Sequence, residues 1–258
     1  MKIVVLIKEV PDTWGERRLD LETGLTDRGA SAAVLDEIDE RAVEVALAHA
    51  DAHPGTEVTV VAMAPASATA TIRKALAMGA TGAVHVVDDA LRGADALLTA
   101  EVLAAAIRRV GFDLVITGNL STDGGGGVVP AMVAEMLGVP QLTSLSSVEI
   151  SDAAVAGHRV SDAGTMCVSA PLPAVVSVTE ALGEGRFATF KGIMAAKKKP
   201  YETVDAAALG VDADDPAVAR YIMLSVAERP PRTAGIKIVD EGDAGEKLAA
   251  FLVAEGVA

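Results

Sequence analysis

The stretch Ile3-Val4-Val5-Leu6-Ile7, close to the start of the 258-residue chain, decides the interpretation of the fold. A continuously apolar strand, without a polar residue at every second position, is typical of a central parallel strand that helices cover on both faces. Further β-branched runs follow at residues 58–62, 83–87 and 113–117, and segments of helical periodicity separate them. This alternation predicts an α/β fold with a doubly wound, mostly parallel sheet.

Capping residues and breaks in periodicity predict the remaining elements. Asp36 is a suitable cap for the first helix, and a later helix is predicted from Pro130 to about Leu137. Residues 141–178 alternate over short segments, which predicts a hairpin followed by one further strand. Beyond Leu182 the pattern dissolves until a last amphipathic helix near the end. The final segment is too short for a core of its own, so we expect an extended C-terminal arm.

Composition and charge restrict the class of protein. Hydrophobic residues make up 51% of the chain and charged residues 22%, as in globular proteins. Thirty-six acidic against 22 basic residues give a net charge of −14, which argues against nucleic acid or an anionic membrane as partner, because both attract basic patches. The longest stretch without a charged residue or histidine, residues 163–179, is shorter than the roughly 20 residues of a membrane helix.

The residue counts and motifs also argue against several kinds of chemistry. Cys167 is the single cysteine and the four histidines are dispersed, so neither a zinc site nor an iron–sulfur site is expected. The loops that define α/β-hydrolases, P-loop NTPases and ordinary Rossmann dehydrogenases are missing. With no signal-like segment before the first strand, we expect a cytoplasmic protein.

A glycine-rich loop, Gly118-Asn119-Leu120-Ser121-Thr122-Asp123-Gly124-Gly125-Gly126-Gly127, follows the predicted strand at residues 113–117. Ligands of open parallel sheets bind beyond the carboxyl ends of the strands where the winding reverses, which predicts a site at residues 8–14 and 118–129. Glycine N–H groups, with Asn119, Ser121 and Thr122 as neutral donors, would form a phosphate cradle without a lysine. A four-glycine run is equally typical of a flexible surface loop.

Other candidate residues also have two interpretations each. Residues 36–39 are either a helix cap with acidic residues in the first turn or a contact to a ribose. Trp14 either stacks on a ring or seals its loop. No cluster resembles a nucleophile with a general base and an orienting group. The residues themselves therefore indicate a nucleotide-binding α/β module with no visible chemistry of its own.

Motifs along nearly the whole chain occur in a characteristic order. They are the first strand with Lys8 and Pro11-Asp12, Asp36-x-x-Asp39-x-x-Ala42-Val43-Glu44, Arg73-Lys74-Ala75-Leu76-Ala77-Met78-Gly79-Ala80, Gly118 through Gly124, Gly138-Val139-Pro140-Gln141-Leu142-Thr143, Leu172-Pro173-Ala174-Val175-Val176, Arg186 through Lys199, and Arg232-Thr233-Ala234-Gly235. Together they resemble the beta (small) subunit of electron-transfer flavoproteins, the heterodimeric FAD carriers that collect electrons from dehydrogenases. The segment that ends in the triple lysine is the most specific of them.

The resemblance implies an electron carrier, not an enzyme. It implies an adenine-nucleotide-binding α/β fold that pairs with an alpha (large) subunit, binds one buried AMP, and completes the site of an FAD that the alpha subunit mainly holds. Thr13 and Ile38 fall where the family approaches the flavin. The implied nucleotide contacts are Leu6, Asp36, Glu37, Ile38, Asp39, Met63, Gly118, Asn119, Leu120, Ser121, Thr122, Asp123, Gly124, Gly125, Gly126, Gly127, Val128 and Val129.

The chain departs from the family at two places in this contact set. Residues 124–130 replace a loop that often contains acids, glutamine and Gly-Pro, and Asp36 stands where asparagine is common. Side-chain bonds to a phosphate would then be replaced by backbone N–H groups. The identity of the second nucleotide stays open: it is either AMP or the additional FAD that the bifurcating branch of the family binds.

The Arg186 to Lys199 segment resembles the recognition loop that anchors partner dehydrogenases, with Phe190 where leucine is usual. Phe190, Ile193 and Met194 are its implied docking residues. The implied donors are acyl-CoA or other flavin dehydrogenases, and the implied acceptor is a downstream quinone-linked oxidoreductase. We therefore expect a nucleotide-binding domain at residues 1–182, a partner-recognition loop at 183–200, and a C-terminal arm at 201–258 that packs on the alpha subunit.

Two functions of other classes stay open. One is a stand-alone nucleotide-binding or sensor module that needs no partner. The other is an enzyme that uses the glycine-rich loop for adenylation or phosphate transfer. The sequence pattern shows neither a lysine nor a metal-binding set of carboxylates beside that loop.

Overall fold

The computed structural model describes residues 1–218, 220–232 and 235–257. The chain forms two compact units, Met1–Leu224 and Ser225–Ala258. The first unit contains the sheet and every implied site residue. Thr233 and Ala234, which belong to the last of the family motifs, lie outside the described residues.

Strands and helices alternate through most of the first unit. The helices are α1 (Glu37–Ala52), α2 (Thr69–Met78), α3 (Ala96–Val110), α4 (Val129–Leu137), α5 (Phe190–Ala196) and, in the second unit, α6 (Ala244–Ala254). The strands are β1 (Lys2–Leu6), β2 (Glu9–Pro11), β3 (Ala33–Leu35), β4 (Glu57–Met63), β5 (Gly82–Val86), β6 (Leu114–Gly118), β7 (Gln141–Ile150), β8 (Ala154–Ser161), β9 (Gly164–Pro171), β10 (Ala174–Val178) and β11 (Tyr201–Val204).

One nine-stranded sheet organises the first unit, in the order β11-β5-β4-β1-β6-β10-β7-β8-β9. β1 pairs in parallel with β4, from Lys2 opposite Glu57 to Leu6 opposite Val61, and with β6 on its other side. The pairs from β11 to β7 are parallel, whereas β7, β8 and β9 pair in antiparallel fashion. The predicted fold class, an α/β protein with a mostly parallel doubly wound sheet, is confirmed.

The apolar run of β1 faces two separate hydrophobic cores. Ile3 and Val5 belong to the core that α1 and α2 cover, and Val4 and Leu6 belong to the core that α3 and α4 cover. All four side chains are buried. Burial of each such side chain contributes roughly 1.5–3 kcal/mol to stability, which is the physical reason for an apolar residue at every one of these positions.

Three elements differ from the sequence prediction. Residues 141–171 form three antiparallel strands, not a single hairpin, because β9 pairs along its whole length with β8. α5 occupies a stretch that was predicted as a loop. β11 pairs in parallel with β5 at the sheet edge, so the sheet-bearing unit includes residues 201–204, which the predicted division assigned to the arm.

Candidate functional site

The winding of the sheet reverses between β1 and β6. The chain runs from β1 outward through β4 to β5 and then returns by α3 to β6, on the other side of β1. The carboxyl ends of both central strands therefore lie side by side, with Lys8 shortly after one end and Gly118 at the other. This confirms that the loops at residues 8–14 and 118–129 leave the sheet at its point of reversal, where α/β proteins bind ligands.

Asp39 connects these two strand ends. Its Oδ2 accepts a hydrogen bond from the Lys8 backbone N–H at 2.8 Å, and its Oδ1 accepts one from the Gly118 N–H at 3.0 Å. The side chain is buried in the first turn of α1. Burial, and then the neighbouring Asp36 carboxylate, raise the pKa of the Asp39 carboxyl well above its usual range.

Gly118 makes this contact possible because it lacks a Cβ. A Cβ at this position would lie 2.6 Å from Asp39 Oδ1 and 3.1 Å from Ile38 Cγ2. The glycine is therefore required by the close approach of α1 to β6. The start of the glycine-rich loop is fixed by packing and is not merely a flexible surface segment.

Asp36 caps α1 and also holds the glycine-rich loop. Its Oδ1 accepts a hydrogen bond from the Ile38 N–H at 2.9 Å. Its Oδ2 accepts hydrogen bonds from the backbone N–H and the hydroxyl of Thr122, at 2.7 and 2.9 Å. The helix-cap interpretation is confirmed, and both carboxylate oxygens of this fully buried residue are bonded within the protein.

A lysine does reach the loop, which corrects the expectation of a cradle without one. Lys8 Nζ donates to Ser121 Oγ at 3.2 Å and pairs with Asp123 Oδ1 at 2.6 Å, while Arg28 lies 3.7 Å from the other Asp123 oxygen. Burial acts to raise the pKa of the Asp123 carboxyl, but the hydrogen bond and charge of Lys8, with smaller contributions from Ser121 and Arg28, together lower it. The lysine charge is thus already paired, and sequence spacing gave no signal of this long-range contact.

The apex of the loop keeps polar groups available for a ligand. Among the described residues, no hydrogen bond uses the N–H groups of Gly126, Gly127 or Val128, and α4 begins directly after them. Asn119 Oδ1 is buried without a hydrogen-bond partner in the described chain. Unpaired N–H groups at a helix N-terminus favour an anion. The N–H groups of Gly126, Gly127 and Val128 fit a phosphate that is bound by the backbone, whereas Asn119 Oδ1 can only accept a hydrogen bond and requires a donor group on the ligand.

The implied nucleotide contacts lie on both faces of the sheet, near the carboxyl ends of its central strands. Leu6 and Met63 join the apolar core on the α3 face, where Val129 also packs. Ile38 is buried on the α1 side, whereas Glu37 is exposed. Leu6 and Met63 therefore lie at the carboxyl ends of β1 and β4, and the unbonded N–H groups belong to the loop that follows β6.

Of the residues implied in partner and flavin contacts, Ile38 is buried and the others are exposed. On α5, the exposed fraction is 81% for Phe190, 47% for Ile193 and 50% for Met194. Thr13 is also exposed. Trp14 is 96% exposed, so it does not seal its loop.

Two cavities lie away from these loops. One, of about 460 Å³, is lined by Met1, Asp113 and Asp152 at the amino ends of the strands, and another, of about 350 Å³, is lined by α3 together with Met136, Val218 and Arg220. Neither is lined by a residue of the implied contact set. In the described part of the chain, no group of three or more histidine, cysteine or acidic side chains is placed to hold a metal ion. None of the described helices has the length and apolar character that crossing a bilayer requires.

Comparison with known proteins gives consistent matches over the chain. The family model of the electron transfer flavoprotein domain matches residues 24–209. The electron transfer flavoprotein subunit beta of Mycobacterium leprae is 49% identical over 99% of this chain and 98% of its own length. The same subunit of Mycobacterium tuberculosis is 48% identical over equal shares. The caffeyl-CoA reductase-Etf complex subunit CarD of Acetobacterium woodii is 36% identical over 78% of this chain and 76% of its own length.

Proposed function

Because this chain belongs to the beta-subunit family of electron transfer flavoproteins, we propose that it binds AMP structurally and completes the FAD site of a heterodimer with the alpha (large) subunit. The family resemblance of the sequence motifs is confirmed by these matches. Members of this family are electron carriers and not enzymes, so the chain needs no acid–base catalyst of its own.

One observation carries the AMP proposal. At the reversal point of the sheet, Asp39 holds the ends of β1 and β6 together, and the loop that follows presents backbone N–H groups that the described chain leaves unbonded. The carboxylates most able to repel a phosphate, Asp36 and Asp123, are bonded to Thr122 and Lys8 respectively. Lys8 thus balances the charge of Asp123, and both oxygens of Asp36 accept hydrogen bonds from donors within the chain.

The proposed contacts follow from this arrangement. The N–H groups of residues 126–128 hold the phosphate, Asn119 supplies a polar side chain, and Leu6 with Met63 forms an apolar wall. FAD, when bound, supplies the redox chemistry. Thr13 and Ile38 approach it from this chain, and the alpha subunit completes its site.

The proposal extends to the electron partners. The apolar side chains on α5 are the docking site for acyl-CoA or other flavin dehydrogenases, and a downstream quinone-linked oxidoreductase accepts the electrons. The arm packs on the alpha subunit, and this contact would cover Tyr221, Ile222 and Leu224. The exposed fractions of these three residues in this chain are 84%, 77% and 87%. Exposed apolar clusters of this kind mark protein interfaces.

We also place the heterodimer in the cytoplasm, without nucleic acid or a membrane as a binding partner. Cys167 is an exposed free thiol, which is ordinary in a reducing compartment. The net charge of −14 disfavours binding to polyanions.

Co-expression with the alpha subunit from the same genome tests the proposal. A yellow 1:1 complex whose flavin is reduced by a dehydrogenase is the expected result. A colourless, well-folded chain that binds no alpha subunit would support the stand-alone module instead. Turnover of a nucleotide would support the enzyme alternative.

A second candidate function is that of a bifurcating heterodimer, in which an additional FAD replaces AMP. The favouring observation is the room at the loop, where a Cβ on Gly125 or Gly126 would meet no atom within 4 Å. Similarity to a subunit of a caffeyl-CoA reductase-Etf complex is compatible with it. Identification of the released nucleotides separates the two candidates.

A further inference from the structure

The short helix α5, which presents the docking side chains, is fastened to the last turns of α2. Ala196 at its end is buried, and its carbonyl accepts a hydrogen bond from Arg73 Nη1 at 3.0 Å. At Gly192 a Cβ would lie 2.3 Å from the Ala77 carbonyl oxygen. An isolated helix of seven residues does not persist in water, so these contacts decide whether α5 exists.

Tyr201, in the edge strand β11, is held by the buried His85. His85 Nε2 lies 3.0 Å from the Ala64 carbonyl oxygen, which can only accept, so Nε2 carries the proton. Nδ1 of the neutral ring is then an acceptor, and the Tyr201 hydroxyl donates to it at 2.9 Å. Burial lowers the pKa of His85, which keeps the ring neutral and this arrangement intact at neutral pH.

The Tyr201 ring in turn supports Arg73. The Arg73 Cζ lies 4.8 Å from the centroid of that ring, a distance at which a guanidinium is attracted to an aromatic face. The supported guanidinium donates to the Ala196 carbonyl. A continuous set of contacts therefore runs from β5 through β11 and α2 to α5.

The other end of the docking segment is fixed independently. Arg186 binds Glu44 through Nε and Nη2 at 2.7 and 2.8 Å, and its Nη1 lies 2.9 Å from Asp51. Both acids belong to α1. The exposed docking side chains at residues 187–194 thus lie between two attachments to the nucleotide-binding unit.

We propose that Tyr201 is a positioning residue for partner docking: bonded to His85 and stacked under Arg73, it holds α5 in its helical form before a dehydrogenase binds. This inference rests on the proposed role of α5 as the docking site. A preformed helix spares the complex the cost of ordering the docking segment, and that saving appears as affinity. Tyr201 touches neither flavin nor donor in this account.

The test uses the assembled, flavin-loaded heterodimer with Tyr201→Phe, which removes only the hydroxyl, and Arg73→Lys, which keeps the charge but loses the planar fork. Glu202→Gln is the matched control, because Glu202 neighbours Tyr201 in β11 but pairs with Arg109 instead. The donor is an acyl-CoA dehydrogenase that reduces the wild-type heterodimer. Its KM for the flavoprotein and its kcat are measured, together with amide hydrogen exchange of residues 187–199.

Both Tyr201→Phe and Arg73→Lys are expected to raise this KM by about three- to tenfold, the range that loss of one hydrogen bond gives, with kcat, flavin content and flavin potential unchanged. Exchange of residues 187–199 should accelerate in both variants and stay at the wild-type rate in Glu202→Gln. Wild-type KM and wild-type exchange in both variants would overturn the inference. If no dehydrogenase reduces the wild type, the proposed function fails, and the exchange rates still decide whether Tyr201 positions α5.

Discussion

Gly118 and Asp39 meet so closely that the identity of each depends on the other. The glycine gives the carboxylate room, and the carboxylate binds the glycine N–H as well as that of Lys8. A substitution at either residue should therefore disturb the same junction between α1, β1 and β6. This junction is where the proposed nucleotide site begins.

Gly118→Ala should lower the free energy of unfolding by about 1–3 kcal/mol, because the new Cβ forces backbone and carboxylate apart. Urea denaturation of the heterodimer measures it. Gly126→Ala is the matched control in the same loop, since its Cβ would meet no atom within 4 Å; we expect a change within about 1 kcal/mol. Equal losses in both variants would show that Gly118 is not required for packing.

Asp39→Asn should destabilise the protein more at about pH 5 than at about pH 8. The pKa of Asp39 is raised in the folded state, so the folded protein holds a proton that the unfolded chain releases. The stability that this proton gives is present at low pH and is lost as pH rises through the raised pKa. Asparagine does not titrate, so the difference in free energy of unfolding between wild type and variant narrows with rising pH. Urea unfolding at both pH values measures it, and a difference that is independent of pH would refute the explanation.

At the scale of secondary-structure elements, α5 shows how a surface element can combine exposure with order. Phe190 is exposed at its first residue, while the Thr189 hydroxyl oxygen caps the helix by accepting the Gly192 N–H at 3.0 Å. The element is held from beneath by α2, so its apolar side chains are free to enter a partner.

Phe190→Ala should weaken docking of the donor dehydrogenase by about tenfold or more, because a buried phenylalanine contributes roughly 1.5–3 kcal/mol before ordering costs. Bound flavin should be unchanged, as its absorbance at constant protein concentration will show. Val160→Ala, at an exposed position of β8, is the control and should dock as the wild type does. Loss of FAD from the Phe190 variant would mean that α5 supports the flavin site instead.

Elements with a strong period were predictable from sequence, and those stabilised by tertiary contacts were not. The apolar run of β1 predicted a strand covered on both faces, and Asp36 predicted the start of α1. α5 has only seven residues, and β11 has four residues of which two are exposed. Both are too short to show a hydrophobic periodicity in the sequence. At the site, the glycine-rich loop was found from its composition, but the Lys8–Asp123 pair joins residues 115 positions apart and had no local signal.

At the scale of the whole molecule, α1 connects the two proposed functional regions. Its first turn holds the glycine-rich loop through Asp36 and Asp39, and its later turns hold the docking segment through Glu44 and Asp51. Although burial alone would raise the pKa of Glu44, the hydrogen bonds and charge of Arg186 outweigh burial and lower it. One rigid helix thus fixes the distance between nucleotide loop and docking segment.

This arrangement explains how a subunit without chemistry of its own contributes to electron transfer. In the proposed heterodimer, the chain would bind a nucleotide at the point of reversal of its sheet and present the helix α5 to the donor. FAD, when bound, would supply the redox chemistry, and the two subunits would hold it in place. The proposed role of the chain therefore requires a nucleotide in the native heterodimer.

Mass spectrometry of the ligands released by heat from the purified heterodimer tests this claim most directly. We expect one AMP and one FAD for each pair of subunits. In the Gly118→Ala heterodimer, the amount of bound AMP should fall and the amount of bound FAD should stay the same. Two FAD molecules and no AMP would identify the bifurcating candidate. A native heterodimer that contains FAD but no second nucleotide, at any stage of a gentle purification, would contradict the account.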